Sequence, residues 1–204
     1  MTDYVIPCDT VVRLATVLDN FHDEADDYFR TIRIDNGLAV ASNRRIIVVE
    51  NIGGPSGVFH MVADPTLIQH CRTEAPFSSK LTVNVNEVLR FAVAKTTLGY
   101  VHAANCGFWS PAPTVFDDWR KHVMVTKTPA KKSVGGMIWQ ADVVAQLGSA
   151  SPSGRVIFEQ NIDALNRPTV VRDPTDPDWF AVFHPYLDEL SDVPAASLPN
   201  WMTL

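Results

Sequence analysis

The chain has 204 residues, with 17 Lys and Arg against 23 Asp and Glu and a net charge of −6. Hydrophobic residues at 46% and charged residues at 20% exclude a disordered chain and describe a folded one with ample core material. The acidic balance excludes tight nucleic-acid binding through net charge alone, because phosphate affinity comes from Lys and Arg displacing counterions, but it leaves room for a local basic strip.

No apolar run reaches the length of a membrane helix, and Met1-Thr2-Asp3-Tyr4 lacks the basic start and apolar stretch of a secretory signal. A cytoplasmic protein without a membrane partner is expected. Cys8, Cys71 and Cys106 are odd in number and lack CxxC spacing, so they read as reduced, packed thiols.

In chain order, Val11, Leu14, Leu18 and Phe21 recur at three- and four-residue steps behind Asp9, which predicts a helix capped by Asp9 and ending near His22-Asp23. Branched and aromatic runs at 28–34, 38–42 and 45–52 predict a three-stranded antiparallel meander. Asp35-Asn36-Gly37 supplies its first tight turn. A strand at 58–62 precedes Asp64-Pro65, a capping carboxylate followed by proline at the first helical position, with Leu67, Ile68 and Cys71 on one side of the helix. Strands follow at 80–86, 88–94 and 99–104.

Residues 107–135 carry Pro111, Pro113, Pro129 and the basic residues Arg120, Lys121, Lys127, Lys131 and Lys132, the composition of a linker. A third pass begins with a strand at 136–139 and a helix from Ala141 to Leu147, stopped by Gly148. It continues with strands at 155–159, 168–172 and 179–183. Residues beyond Tyr186 read as a tail. The order strand, helix, three strands thus occurs three times without a fixed-period sequence repeat. Short connections between neighbouring strands predict an α+β fold of antiparallel sheets with the helices on one face.

Enzymatic readings find little support. There is no GxSxG, Walker loop or HExxH motif. The carboxylates Asp23, Glu24, Asp26 and Asp27, and a second group of Asp173, Asp176 and Asp178, have hard-metal chemistry but not the spacing of a calcium loop. They read as an acidic helix exit and a proline-rich turn, which leaves a metal-dependent hydrolase as the weakest alternative. Gly53-Gly54-Pro55-Ser56-Gly57 joins two strands and opens no helix, so it is not a phosphate cradle.

Three stretches resemble the bacterial DNA sliding clamp, the ring-forming processivity subunit of replicative polymerases, in a divergent, phage-type form. Gly37 to Ile47 (GLAVASNRRII) is similar to the family's L-x-x-x-A-T-D-G-H-R-L-A meander. Phe116 to Val123 (FDDWRKHV) is similar to its F-P-D-Y-R-R-V-I segment. Arg167 to Arg172 with Trp179 to Pro185 resembles its terminal strand pair.

The resemblance implies one complete clamp-like domain of two units at 1–125, a third unit making half a domain at 126–186 behind the basic linker, and a tail at 187–204. It implies a non-enzymatic protein without cofactor or bound metal, assembled as a homo-oligomer. Its helices would face duplex DNA with weak, sequence-independent contact through Arg13, Arg72, Arg44, Lys127, Lys131 and Lys132. It also implies a cleft that takes a peptide motif of a DNA polymerase or other replication protein, with Ser42, Arg45 and Ile46 on one wall, Lys121 and His122 near the junction, and Val182 and His184 on the last strand. Asp117 and His184 stand where the family has proline and methionine, making that cleft more polar. The alternative function is a clamp-fold binding module that does not encircle DNA.

Overall fold

A computed structural model describes residues 2–18, 31–43, 45–54, 56–86, 91–104, 120, 140–159 and 169–183. Strand β1 (Thr2–Pro7) leads into helix α1 (Cys8–Ala15), followed by β2 (Thr31–Asp35), β3 (Leu38–Ser42) and β4 (Ile46–Asn51). The plan repeats as β5 (Val58–Val62), α2 (Pro65–Glu74), β6 (Lys80–Asn86), β7 (Phe91–Thr96) and β8 (Val101–Ala104). Helix α3 (Ala141–Ala150) and strands β9 (Ile157–Glu159), β10 (Thr169–Arg172) and β11 (Trp179–Phe183) complete the described elements. The strand expected at 136–139 lies outside the described residues.

Every strand pair among the described residues is antiparallel. One sheet has the order β1-β6-β7-β8 and the other β5-β2-β3-β4-β11-β10-β9. The first strand of each of the two leading units crosses to the other unit's meander: β1 pairs with β6 and β5 with β2. The third unit joins through β11, which lies against β4 from Trp179↔Glu50 to Phe183↔Ile46.

Alternation along each strand sets the layers. In β6, Leu81, Val83 and Val85 are buried while Thr82, Asn84 and Asn86 are half covered. Together with Tyr4, Ile6, Ile32, Ile34, Ala39, Ala41, Ile46 and Val48 they face the helices, which contribute Val11, Leu14, Leu67, Val143 and Leu147 to the same core. The helices therefore lie on one face of the sheets, as the short connections predict.

Local chemistry explains most boundaries. Asn36 and Gly37, with φ of 52° and 83°, form the two-residue turn between β2 and β3, where positive φ at both positions matches strand twist. Asp64 caps α2 by accepting from the backbone N–H of Thr66 at 2.8 Å and Leu67 at 3.3 Å, with Pro65 as the first helical residue.

Helix α1 differs from expectation at both ends. Pro7 precedes it with no side-chain cap, and Asp9 lies inside the first turn, bonded to Arg13 one turn on. The helix closes at Ala15 and not near His22, because Thr16 and Val17 bond back three residues to Arg13 and Leu14 and tighten the last turn. Helix α3 runs through Gly148 and stops at Ser151, whose hydroxyl turns to Asp173 and the Arg155 carbonyl.

Asp173 organises the third unit's turns. Its Oδ2 accepts from Ser151 Oγ at 2.5 Å and Ser153 N at 2.7 Å, and its Oδ1 from Thr175 N, Thr175 Oγ1 and Asp176 N at 2.7–3.0 Å. Burial opposes the carboxylate, but the bonds from Ser151, Ser153 and Thr175 outweigh it and hold its pKa below the ordinary 3.8. The resulting stability is fully present above that ordinary value and is lost as pH falls through the lower folded value. Asp173→Ala is expected to cost about 1–3 kcal/mol at neutral pH. The difference from the native chain should shrink below pH 3.8, as read by urea unfolding across acid pH.

Candidate DNA-facing and partner-docking surfaces

The exposed side of the helices carries little free positive charge. Arg13 of α1 is 16% exposed at its side chain and bound on two sides, with Nη1 2.7 Å from Asp9 Oδ2 and Nη2 2.6 Å from Glu50 Oε1. Thr10 Oγ1 donates to the same Glu50 oxygen at 2.6 Å. Burial works against the Arg13 charge, yet Glu50 and Asp9 overcome it and raise the guanidinium's pKa. Burial also raises the Glu50 carboxyl, with Arg13 and Thr10 offsetting only part of it. The pair ties α1 to β4 at the seam with β11.

Arg72, in the last turn of α2, is exposed and meets no carboxylate among the described residues. Its charge complements the negative end of the helix dipole. Helix α3 carries no cation, and its exposed Asp142 lies 3.5 Å from Arg45 Nη1. Arg44, Lys127, Lys131 and Lys132 fall outside the described residues.

The residues expected to line a peptide cleft separate by strand alternation. Ser42, Ile47 and Val182 form one cross-strand row over β3, β4 and β11. They share the sheet face opposite the helices with Val40, Val49 and Phe180, and Leu38, Ile47 and Phe180 pack half-buried around Val40 and Val49. Ile46 points the other way, into the helix-facing core.

Arg45 belongs to neither face. Its guanidinium reaches Gln140 Oε1 at 3.3 Å and Asp142 at the start of α3, while Asn43 bonds to Gln146 at 3.1 Å. The loop between β3 and β4 thus contacts α3 through Asn43 and Arg45. Lys121, His122 and His184 lie outside the described residues. Ile47 is the member of this row that sequence reasoning missed, although the alternation through Val40 and Ser42 carries the signal for it.

A buried polar cluster adjoins this apolar stripe. Asp35 Oδ2 accepts from Arg33 at 3.3 Å and from Arg120 Nη1 at 2.5 Å, and Thr31 Oγ1 lies 3.4 Å from His60 Nδ1. Arg120 therefore brings one residue of the basic segment onto this sheet.

Among the described residues no three His, Cys, Asp or Glu side chains converge on a metal position. Asp23, Glu24, Asp26 and Asp27 lie outside them, and the oxygens of Asp173 are already occupied by donors of Ser151, Ser153, Thr175 and Asp176. No described helix is long and apolar enough to cross a membrane.

No protein-family model and no curated protein matches the chain. Solved structures do. The DNA polymerase sliding clamp of Pseudomonas aeruginosa superposes with a TM-score of 0.59 at 10% identity, covering 91% of this chain and 66% of that one. The chain has the sliding-clamp fold. The DNA polymerase III beta subunit of Thermotoga maritima gives 0.56 at 8% identity, covering 98% of this chain and 66% of its own, and a putative beta subunit from Eubacterium rectale gives 0.55 at 11%, covering 91% and 65%. The chain thus spans about two thirds of the length of the clamps it matches. The likeness rests on layering and strand order; at these identities few side chains coincide.

Proposed function

We propose that this clamp-fold chain is a non-enzymatic docking protein of DNA replication or repair, which tethers a polymerase or other replication enzyme to duplex DNA. The supporting observation is the continuous seven-stranded sheet that joins the third unit to the first domain with α1, α2 and α3 on one side. Such a layer presents helices to a backbone of phosphates and strands to partner proteins.

Tethering works through effective concentration: a linked enzyme rebinds its template before it diffuses away, so no chemistry by the clamp is needed. The partner would insert a short peptide with apolar anchors along the Ser42–Ile47–Val182 row, and Lys121, His122 and His184 would extend that site. Contact with DNA would be sequence-independent, from Arg72 and the basic residues Arg44, Lys127, Lys131 and Lys132.

One observation favours a second reading, a clamp-fold module that docks proteins without encircling DNA. Asp9 and Asp142 are exposed on the helical side, Arg13 is neutralised, and Arg72 is the exposed cation there among the described residues. Fluorescence anisotropy on a short duplex across a salt series separates the two.

If Arg72 alone meets phosphate, log K should fall with log salt at a slope of about −1, steepening to roughly −4 or −5 if Arg44, Lys127, Lys131 and Lys132 all contribute. Arg72→Glu should weaken binding and make the slope shallower by about 1, while Arg13→Met should change it little. Duplex binding insensitive to Arg72→Glu but lost on reversing Lys131 and Lys132 moves the contact to the basic segment. No salt-dependent binding at all leaves the docking module.

A further inference from the structure

Glu50 is a buried carboxylate that uses one oxygen only. Its Oε1 accepts from Arg13 Nη2 and from Thr10 Oγ1, each at 2.6 Å, while the buried Oε2 has no hydrogen-bond partner among the described residues. Arg13 is left in the same condition. Its Nη1 donates to Asp9 and its Nη2 to Glu50 and Thr10, but the buried Nε–H meets no acceptor among the described residues. An arginine and a carboxylate usually meet through two parallel bonds, so this pair is joined on one side and open on the other.

A third polar group stands beside them. Strand register sets Ala39, Glu50 and Trp179 in one row over β3, β4 and β11, and the outer two belong to the helix-facing core. Neighbours in such a row have Cβ atoms about 4.5–5.5 Å apart. Trp179 is fully buried, and its indole Nε1–H, like the Arg13 Nε–H, finds no acceptor among the described residues. Each buried polar atom left unpaired costs stability, and folded chains seldom leave three of them on adjoining side chains.

We propose that the seam between α1, β4 and β11 is a binding site for one internal water molecule, which donates to Glu50 Oε2 and accepts from Arg13 Nε–H and Trp179 Nε1–H. The three groups select the ligand. An anion would meet the charge of Glu50, and a cation would meet two N–H donors, one of them on a guanidinium. The charges of Arg13 and Glu50 already offset each other, so the occupant is neutral and must both give and take hydrogen bonds. Water is the smallest molecule that does, and buried waters typically make about three such bonds. In this position it completes an ion pair that direct contact satisfies on one side only, and it ties the Trp179 indole of β11 to α1. The inference is independent of tethering: the seam is hydrated whether or not the chain meets DNA.

A high-resolution crystal structure of the full chain should show an ordered water at hydrogen-bond distance, about 2.7–3.2 Å, from all three atoms. In solution, magnetic resonance of the isotope-labelled chain should give the Trp179 indole N–H a cross-relaxation peak to water, identified among the five tryptophans by its loss in Trp179→Phe. Thr10→Val removes the neighbouring exchangeable hydroxyl and should leave that peak in place. The combined change Thr10→Val, Arg13→Met, Glu50→Leu takes away two of the three partners and should abolish the peak while the circular dichroism stays native. Arg13 Nε bonded directly to Glu50 Oε2 overturns the proposal, as does a seam without ordered water. So does a peak that disappears with Thr10→Val or survives the combined change. If the combined variant fails to fold, the crystal structure and the Thr10→Val spectrum decide between these outcomes.

Discussion

Trp179→Ala is expected to destabilise the chain by about 3–5 kcal/mol, the range for removing a fully buried large aromatic side chain. Trp179 is 0% exposed and sits in β11 directly opposite Glu50 of β4, where β11 joins the sheet of β2, β3 and β4. Its indole Nε1 has no hydrogen-bond partner among the described residues, so the loss is chiefly one of packing and cavity formation. Trp179→Phe, which keeps most of the volume and removes that unpaired donor, should cost roughly 1 kcal/mol or less, as volume-conserving apolar exchanges do.

For a chain of this length each kcal/mol moves the melting temperature by roughly 2–4 °C. The alanine variant should therefore melt on the order of 10 °C lower, measured by circular dichroism. Amide exchange adds a spatial test, because cooperative units open separately when their seam weakens. The amides of β9, β10 and β11 should exchange faster in Trp179→Ala, while those of β1 and β6, in the other sheet, should change little. Equal acceleration in both sheets would mean that the third unit is not a separable body and that Trp179 holds the whole chain together.

Much of this architecture is legible in the sequence, and the parts that are not have local causes. The meander of β2, β3 and β4 follows from branched residues and from Asn36-Gly37, a turn whose backbone few other pairs adopt. The start of α2 follows from Asp64-Pro65, because both the cap and the first helical position have chemical requirements that those residues meet. The bounds of strand β1 are not legible in the sequence, since Thr2–Pro7 is short and ends in proline; its place is set by β6, nearly 80 residues away. The early end of α1 depends on a tightened last turn, which the apolar spacing through Leu18 conceals because Val17 and Leu18 remain buried beyond the helix.

The candidate surfaces divide along the same line. Ser42 and Val182 share a row because strand register brings them together, and alternation alone places Ile46 on the other side and Ile47 beside them. A motif match by position cannot make that distinction; the pleat does. Arg13 has the sequence signature of an exposed helical cation, and only the tertiary approach of Glu50, 37 residues on, converts it into a partly buried structural charge.

Glu50→Ala is the second change expected to have a large effect, about 3–5 kcal/mol, because removing one member of a buried ion pair strands the other. Arg13 would keep its contacts with Asp9, which is half exposed, and with Thr10 Oγ1 at 3.2 Å, and the Thr10 hydroxyl would lose its acceptor in the core. Replacing the cluster as a whole should behave differently. In Thr10→Val, Arg13→Met, Glu50→Leu, the charges and the hydroxyl leave together and apolar side chains of similar size fill their places, so stability measured by urea unfolding should return to within about 1–2 kcal/mol of the native chain. That variant also isolates function from folding. If Arg13 serves only to join α1 to β4, the restored protein binds duplex DNA with the affinity and salt slope of the native chain. A salt slope shallower by about 1 would show that Arg13, despite its two carboxylates, also meets a phosphate.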